Sequence, residues 1–191
     1  MQESGSIFGK IILIDKSGEN FEIFSKGHRN PQGLVYGSGT LIATEHGPDG
    51  GDEINIIKKD GNYGWPLASY GKHYKGQKHV NKYYPLPKNH EGFEEPIKYF
   101  DKSIAISQII NVPKKFDNED NSFFLASMKI NKEFGEKINL YNFILNNEAL
   151  NLKNYIPIGE RIRDLIYIES KDKILMFLDT SASIAILSKI N

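Results

Sequence analysis

The sequence predicts an all-β fold built as propeller blades. Short apolar runs rich in Ile, Phe, Tyr and Leu recur between turn signals along the chain. No stretch sustains a 3.6-residue period across three turns, so no helix is expected. The runs also fall into groups of two, four, four and three, as in a propeller entered in the middle of a blade.

The first group is GKIILID (9–15) and FEIFS (21–25). The second is GLVYG (33–37), TLIATEH (40–46), EINIIKK (53–59) and EPIKYF (95–100). The third is ISQIINV (106–112), SFFLASM (122–128), INLYNFIL (138–145) and NYIPI (154–158), and the last is DLIYIE (164–169), KILMFLD (173–179) and SIAILSK (183–189). Thirteen short strands would also suit a barrel or a β-sandwich. The grouping favours blades, and the sandwich stays as the alternative. Residues 60–94 interrupt the second group with a segment longer than ordinary connections. Its aromatics, Tyr63, Trp65, Tyr70, Tyr74, Tyr83 and Tyr84, suggest a cover packed on the sheets. Gly37-Ser38-Gly39 reads as a turn, since it lacks the third glycine and following helix of a dinucleotide fingerprint.

The 191 residues suffice for one domain with a real core, here expected to be a single partial propeller over 1–191. Apolar residues make up 39% and aromatics 12%, which points to a folded chain. Lys plus Arg and Asp plus Glu both number 24, which argues against non-specific nucleic-acid binding through a basic field. No apolar run is long enough to span a bilayer. The N-terminus lacks the basic and apolar regions of a signal peptide. With no Cys, disulfides and thiolate chemistry are excluded.

Only three of the 24 basic residues are Arg: Arg29, Arg161 and Arg163. A chain that otherwise uses Lys for charge keeps the planar, five-donor guanidinium at two places, which marks both as candidate binding positions. Arg29 lies within 27–66, a stretch dense in Gly, Pro, Asn and Asp. Such residues fix turns and let backbone approach a ligand.

GHRNPQGL (27–34), EHGPDGGDEIN (45–55), NYGWP (62–66), ASMK (126–129) and GERIRD (159–164) occur in this order, and with them the chain resembles the soluble glucose/sorbosone dehydrogenases along nearly its whole length. That resemblance implies a six-bladed β-propeller of which this chain supplies about three blades, the C-terminal half. It also implies pyrroloquinoline quinone (PQQ) and Ca²⁺ as cofactors and hydride transfer from C1 of an aldose to the quinone. Carried over residue by residue, Arg29 and Asn30 would bond the quinone oxygens. Lys129, Arg161 and Arg163 would add cations for a tricarboxylate, with Arg161 and Arg163 projecting from one face of a strand. Without an anion, four such charges together would be costly. Gln32, His46 and Ser103 would border the same pocket, His46 having a structural role as its alternative. The backbone carbonyls of Gly47 and Pro48 would bind Ca²⁺, a hard cation that takes oxygen ligands. Asp49, Asp52 and Glu53 lack the spacing of an EF-hand loop. Tyr63 and Trp65 are expected to pack beneath the long segment, with the substrate mouth as the alternative. His73, His79 and His90 are expected to be solvated.

No His here matches the family's general base, which lies in its N-terminal half. The resemblance therefore implies that this chain anchors cofactor but turns over little or no sugar alone. It also implies a periplasmic or secreted full-length parent, with an aldose as substrate. Unpaired sheet edges should favour self-association or pairing with a missing N-terminal half. The alternatives are a non-catalytic binding propeller and a degenerate fragment.

Overall fold

A computed structural model describes residues 1–76 and 89–189. Each predicted run forms a strand. The first sheet pairs β1 (Lys10–Ile14) with β2 (Phe21–Lys26). The second runs β3 (Pro31–Gly37), β4 (Thr40–Glu45), β5 (Asp52–Ile56) and β6 (Lys98–Phe100). The third runs β7 (Ile106–Val112), β8 (Ser122–Ser127), β9 (Asn139–Asn146) and β10 (Ala149–Pro157). The fourth runs β11 (Ile162–Ile168), β12 (Lys173–Leu178) and β13 (Ser183–Leu187). Every pairing is antiparallel between strands adjacent in sequence, which is the up-and-down order of a propeller blade.

Two elements differ from the expectation. β10 starts at Ala149 because Asn147 and Glu148, both with positive φ, close a two-residue hairpin turn. Along most of its length only Leu150 is buried, so this edge strand shows little apolar alternation to read. A four-residue helix, α1 (Lys114–Asp117), precedes β8 and buries Phe116.

The sheets stack face to face in chain order. Strand β8 is buried at all six positions. Its Phe123 and Leu125 point to Ile42 and Ile54 of the second sheet. Phe124 and Ala126 point the other way, to Ile162, Leu165, Ile174 and Met176 of the fourth. Ile11 and Phe24 of the first sheet cover Ala43. Burying one such aliphatic or aromatic side chain contributes about 1.5–3 kcal/mol, so these interfaces hold the blades together. The outer faces of the first and last sheets are apolar too: Ile14 and Phe21 are exposed on one, Ile166, Phe177, Ile184 and Ile186 on the other.

At one end of the blades the leading strands β3, β7 and β11 lie side by side. Hydrogen bonds cross there from blade to blade, starting from Thr44 of β4. Thr44 Oγ1 donates to the Ser107 carbonyl (2.7 Å) and Ser107 Oγ to the Ile162 carbonyl (2.6 Å). This approach requires Gly33, where a Cβ would lie 2.9 Å from the Ile109 nitrogen. Gly33→Ala should therefore destabilise the chain by about 1–3 kcal/mol, whereas Gly5→Ala, with open space around it, should be neutral. Urea unfolding midpoints of the two variants test this.

Candidate functional site

The loop between β2 and β3 meets the turn between β4 and β5. The His46 nitrogen donates to the Asn30 carbonyl (3.1 Å), and the Arg29 nitrogen donates to Glu45 Oε2 (2.7 Å). Arg29 Nη1 then reaches the His46 carbonyl (2.9 Å), and its guanidinium stacks over Trp65 at 5.3 Å from the ring centroid. Held at backbone, side chain and ring face, this Arg is pre-organised. Asn30 is exposed beside it, its Oδ1 accepting from Gln32 Nε2 (3.0 Å).

His46 donates its Nε2–H to the Ile106 carbonyl, tying the second blade to the third while lining a small cavity with Arg29 and Gly47. The bond to Ile106 gives His46 a structural role. The Gly47-Pro48 turn is tight. A Cβ on Gly47 would sit 2.0 Å from the Gly50 carbonyl oxygen, and Gly50 and Gly51 both have positive φ. Asp52 fixes the turn from below. Its Oδ1 accepts from the Gly47 nitrogen (3.2 Å), and its Oδ2 accepts from Ser103 Oγ (2.8 Å) and the Ile106 nitrogen (3.3 Å). Among the described residues, no hydrogen bond uses the carbonyl oxygens of Gly47 or Pro48. The acids of this turn diverge: Asp49 is exposed, Asp52 is satisfied, and Glu53 turns to His90. No group of three or more His, Cys, Asp or Glu among the described residues forms a metal cage.

The remaining cations arrive from the third and fourth blades. Lys129 follows β8, its nitrogen bonded to the Ile104 carbonyl (2.9 Å). Its side chain borders two clefts. One, of about 560 Å³, also touches Ser103; the other, of about 710 Å³, is shared with Arg161. Arg161 Nη1 donates to the Met128 carbonyl (3.2 Å). Its Nε (2.9 Å) and Arg163 Nη2 (3.2 Å) converge on Asp179 Oδ2. The two arginines do act together, helped by a register shift between Ile162 and Asp164. Hydrogen bonds from Arg161 and then Arg163 hold the Asp179 carboxyl below its usual range. Asp179 escaped the sequence reading. Its signal was the terminal Asp of KILMFLD, whose strand pairs with GERIRD.

The histidines of the long segment need correction. His90 is not solvated: it is 1% exposed, and its Nε2 lies 3.1 Å from Glu53 Oε1. It is drawn in because β5 presents a buried carboxylate that needs a partner. His73 is half-buried and His79 lies outside the described residues, as do Tyr83 and Tyr84 of the expected cover. Tyr63 packs as expected. It is buried, donates to the Ile56 carbonyl (2.6 Å) and stacks on His28 at 4.5 Å. His28 in turn bridges Ser25 Oγ (2.8 Å) and Glu45 Oε1 (3.2 Å).

Removing the Asp52 carboxylate would orphan three donors, two of them backbone N–H groups. Asp52→Ala should cost on the order of 3 kcal/mol and Asp52→Asn less, since the amide oxygen still accepts. Thermal and urea unfolding of the two variants measure the difference.

The sequence profile of the Glucose / Sorbosone dehydrogenase family matches residues 1–187. The chain is 35% identical over 175 residues to Aldose sugar dehydrogenase YliI of Escherichia coli, covering 86% of this chain and 43% of that protein. Over 60 residues it is 48% identical to Quinoprotein glucose dehydrogenase B of Acinetobacter calcoaceticus, covering 31% of this chain and 13% of that one. The fold superposes on the apo crystal structure of soluble Aldose sugar dehydrogenase from Escherichia coli with a TM-score of 0.72 and 31% identity, over 92% of this chain and 50% of that one. The chain thus spans about half the length of these relatives. Its sheets, its motifs and this match agree: the chain belongs to the glucose/sorbosone dehydrogenase family.

Proposed function

We propose that this chain forms the cofactor-anchoring side of a PQQ- and Ca²⁺-dependent dehydrogenase that oxidises aldose sugars. The observation that carries the reading is that Lys129 and Arg161 border one cleft while Arg161 and Arg163 converge on one carboxylate. Arg29, Lys129, Arg161 and Arg163 are drawn from three blades, with one carboxylate, Asp179, shared between two of them. Glu160 borders the same cleft as Lys129 and Arg161, and a planar tricarboxylate would pair with the N–H groups of these cations that remain open. When bound, PQQ supplies an ortho-quinone that accepts hydride from C1 of the sugar.

The chain's own groups bind and orient. Arg29, fixed by Glu45, the His46 carbonyl and Trp65, would present its remaining N–H groups to a quinone oxygen, with exposed Asn30 beside it. Lys129, Arg161 and Arg163 would take the carboxylates, and Ser103, Gln32 and His46 would shape the pocket edge. The carbonyls of Gly47 and Pro48, which no hydrogen bond uses among the described residues, suit a hard cation. We assign the proton-abstracting base to no residue of this chain. His28 and His90 are buried with both ring nitrogens engaged, and His46 commits Nε2 to the backbone. The 191 residues would then act as one propeller segment that binds cofactor but turns over little or no sugar alone. No helix among the described residues is long and apolar enough to cross a membrane. A periplasmic or secreted setting is proposed on family grounds.

Titrating purified chain with PQQ, with and without Ca²⁺, tests the reading, followed by dye-linked oxidation of several aldoses. Saturable binding that weakens on chelation is expected. Arg161→Ala and Arg163→Ala should each weaken it about tenfold, or about 1.4 kcal/mol. Unchanged affinity in both variants would remove the pair from the site, and no PQQ binding under any condition would sink the proposal.

A further inference from the structure

Beneath Arg29 lies a polar cluster that cofactor anchoring alone does not require. Glu45 and Glu53 are direct partners across the β4–β5 ladder, and both are buried, at 4% and 6% exposure. Two carboxylates so placed repel one another. Asn55 Nδ2 stands between them, 3.0 Å from Glu45 Oε1 and 3.5 Å from Glu53 Oε2, while its own Oδ1 has no partner. His28 caps Glu45 on one side, and His90 caps Glu53 on the other.

The hydrogen-bond roles at His90 locate a proton. Nδ1 lies 3.1 Å from the Glu94 carbonyl, which can only accept, so Nδ1 carries hydrogen. Nε2 faces Glu53 Oε1 at 3.1 Å, and a bond there needs one further proton, on the ring or on the carboxyl. Either way the pair carries no net charge, so Glu45 meets no uncompensated charge from Glu53 across the ladder. Glu45 Oε2 is then left to accept from the Arg29 nitrogen at 2.7 Å.

We propose that Glu53 and His90 are positioning residues, sharing one proton that keeps Glu45 in place beneath Arg29. The link to catalysis rests on the reading of Arg29 as a quinone contact; the proton-sharing itself does not. Several other groups face the pair. The Tyr70 ring stacks on His90 at 5.2 Å and donates its hydroxyl to Glu95 Oε2 (2.7 Å), and Glu95 Oε1 accepts from the His90 nitrogen (3.3 Å). None of them supplies a second cation. Burial pushes the Glu53 carboxyl up, opposed by its bond to His90 and reinforced by the charge of Glu45. Burial alone would lower His90, but the bond and charge of Glu53 outweigh it and raise the imidazole above its ordinary 6.5. Both shifts have one sign. The proton-linked order is complete below the ordinary imidazole value and is lost as pH rises through the raised one. Loss of the proton would set two ionised carboxylates against each other and loosen the bond to Arg29.

NMR of the full 191-residue chain, following the His90 ring nitrogens and the Arg29 amide from about pH 6 to about pH 9, tests this directly. The Arg29 amide should shift with the same midpoint as His90. Glu53→Gln keeps a donor to His90 Nε2 but carries no titrating proton, so it should flatten the Arg29 response. Over the same range PQQ affinity should fall at least tenfold in the native chain and stay level in Glu53→Gln. An Arg29 amide indifferent to His90, or a Glu53→Gln profile that coincides with the native one, overturns the proposal. If Arg29 follows His90 but PQQ binds at no pH, the positioning stands and the quinone reading falls.

Discussion

The close approach of β3, β7 and β11 governs the rest of the molecule. At the Thr44–Ser107–Ile162 relay, side-chain hydroxyls reach from one blade to the backbone of the next, and Gly33 leaves room for the contact. Apolar faces hold the sheets together, and this polar seam helps to set their relative height. The height matters because Arg29 and Arg161 precede the leading strands β3 and β11, and Lys129 follows β8. Lys129 and Arg161, from the third and fourth blades, border one cleft, while Arg29 lines the small cavity at the β4–β5 turn of the second.

The site is held by backbone as much as by side chains. His46 anchors on the Ile106 carbonyl, Asp52 gathers the Gly47 turn and Ser103, and Arg161 grips the Met128 carbonyl. The His46–Ile106, Asp52–Ile106 and Arg161–Met128 bonds cross from one blade to the next, so site residues and inter-blade fasteners are partly the same groups. A variant of His46 or Asp52 would therefore mix loss of binding with loss of alignment. Asp179→Asn is a cleaner perturbation, because this half-buried carboxylate bonds, among the described residues, to the two arginines.

All thirteen strands and their grouping were legible in the sequence, because every buried strand alternates or runs apolar between Gly, Asn and Asp turns. Of the three arginines that scarcity singled out, the fold brings Arg161 and Arg163 onto one carboxylate, and Arg29 stands apart at the β4–β5 turn. What escaped was cross-strand information. Nothing in the spacing of Glu45 and Glu53 says that they face one another, since register is fixed by the turn and the packing of β4 on β5. His90 looked solvated because its neighbours in sequence are polar, while its partners in space are Glu53 and Tyr70. The first half of β10 was missed because an edge strand with one buried residue carries almost no pattern. Asp179 looked like the end of a strand rather than the counter-ion of GERIRD.

Pairing only between sequence neighbours has a consequence for how the chain opens. Every ladder among the named strands joins strands consecutive in sequence, so cooperativity passes from sheet to sheet through side-chain packing and scattered single hydrogen bonds. The third sheet has both faces covered, the first and fourth only one each. Amide protection should thus peak at β8 and decay toward both chain ends, making the molecule a short stack that frays from its outermost layers inward.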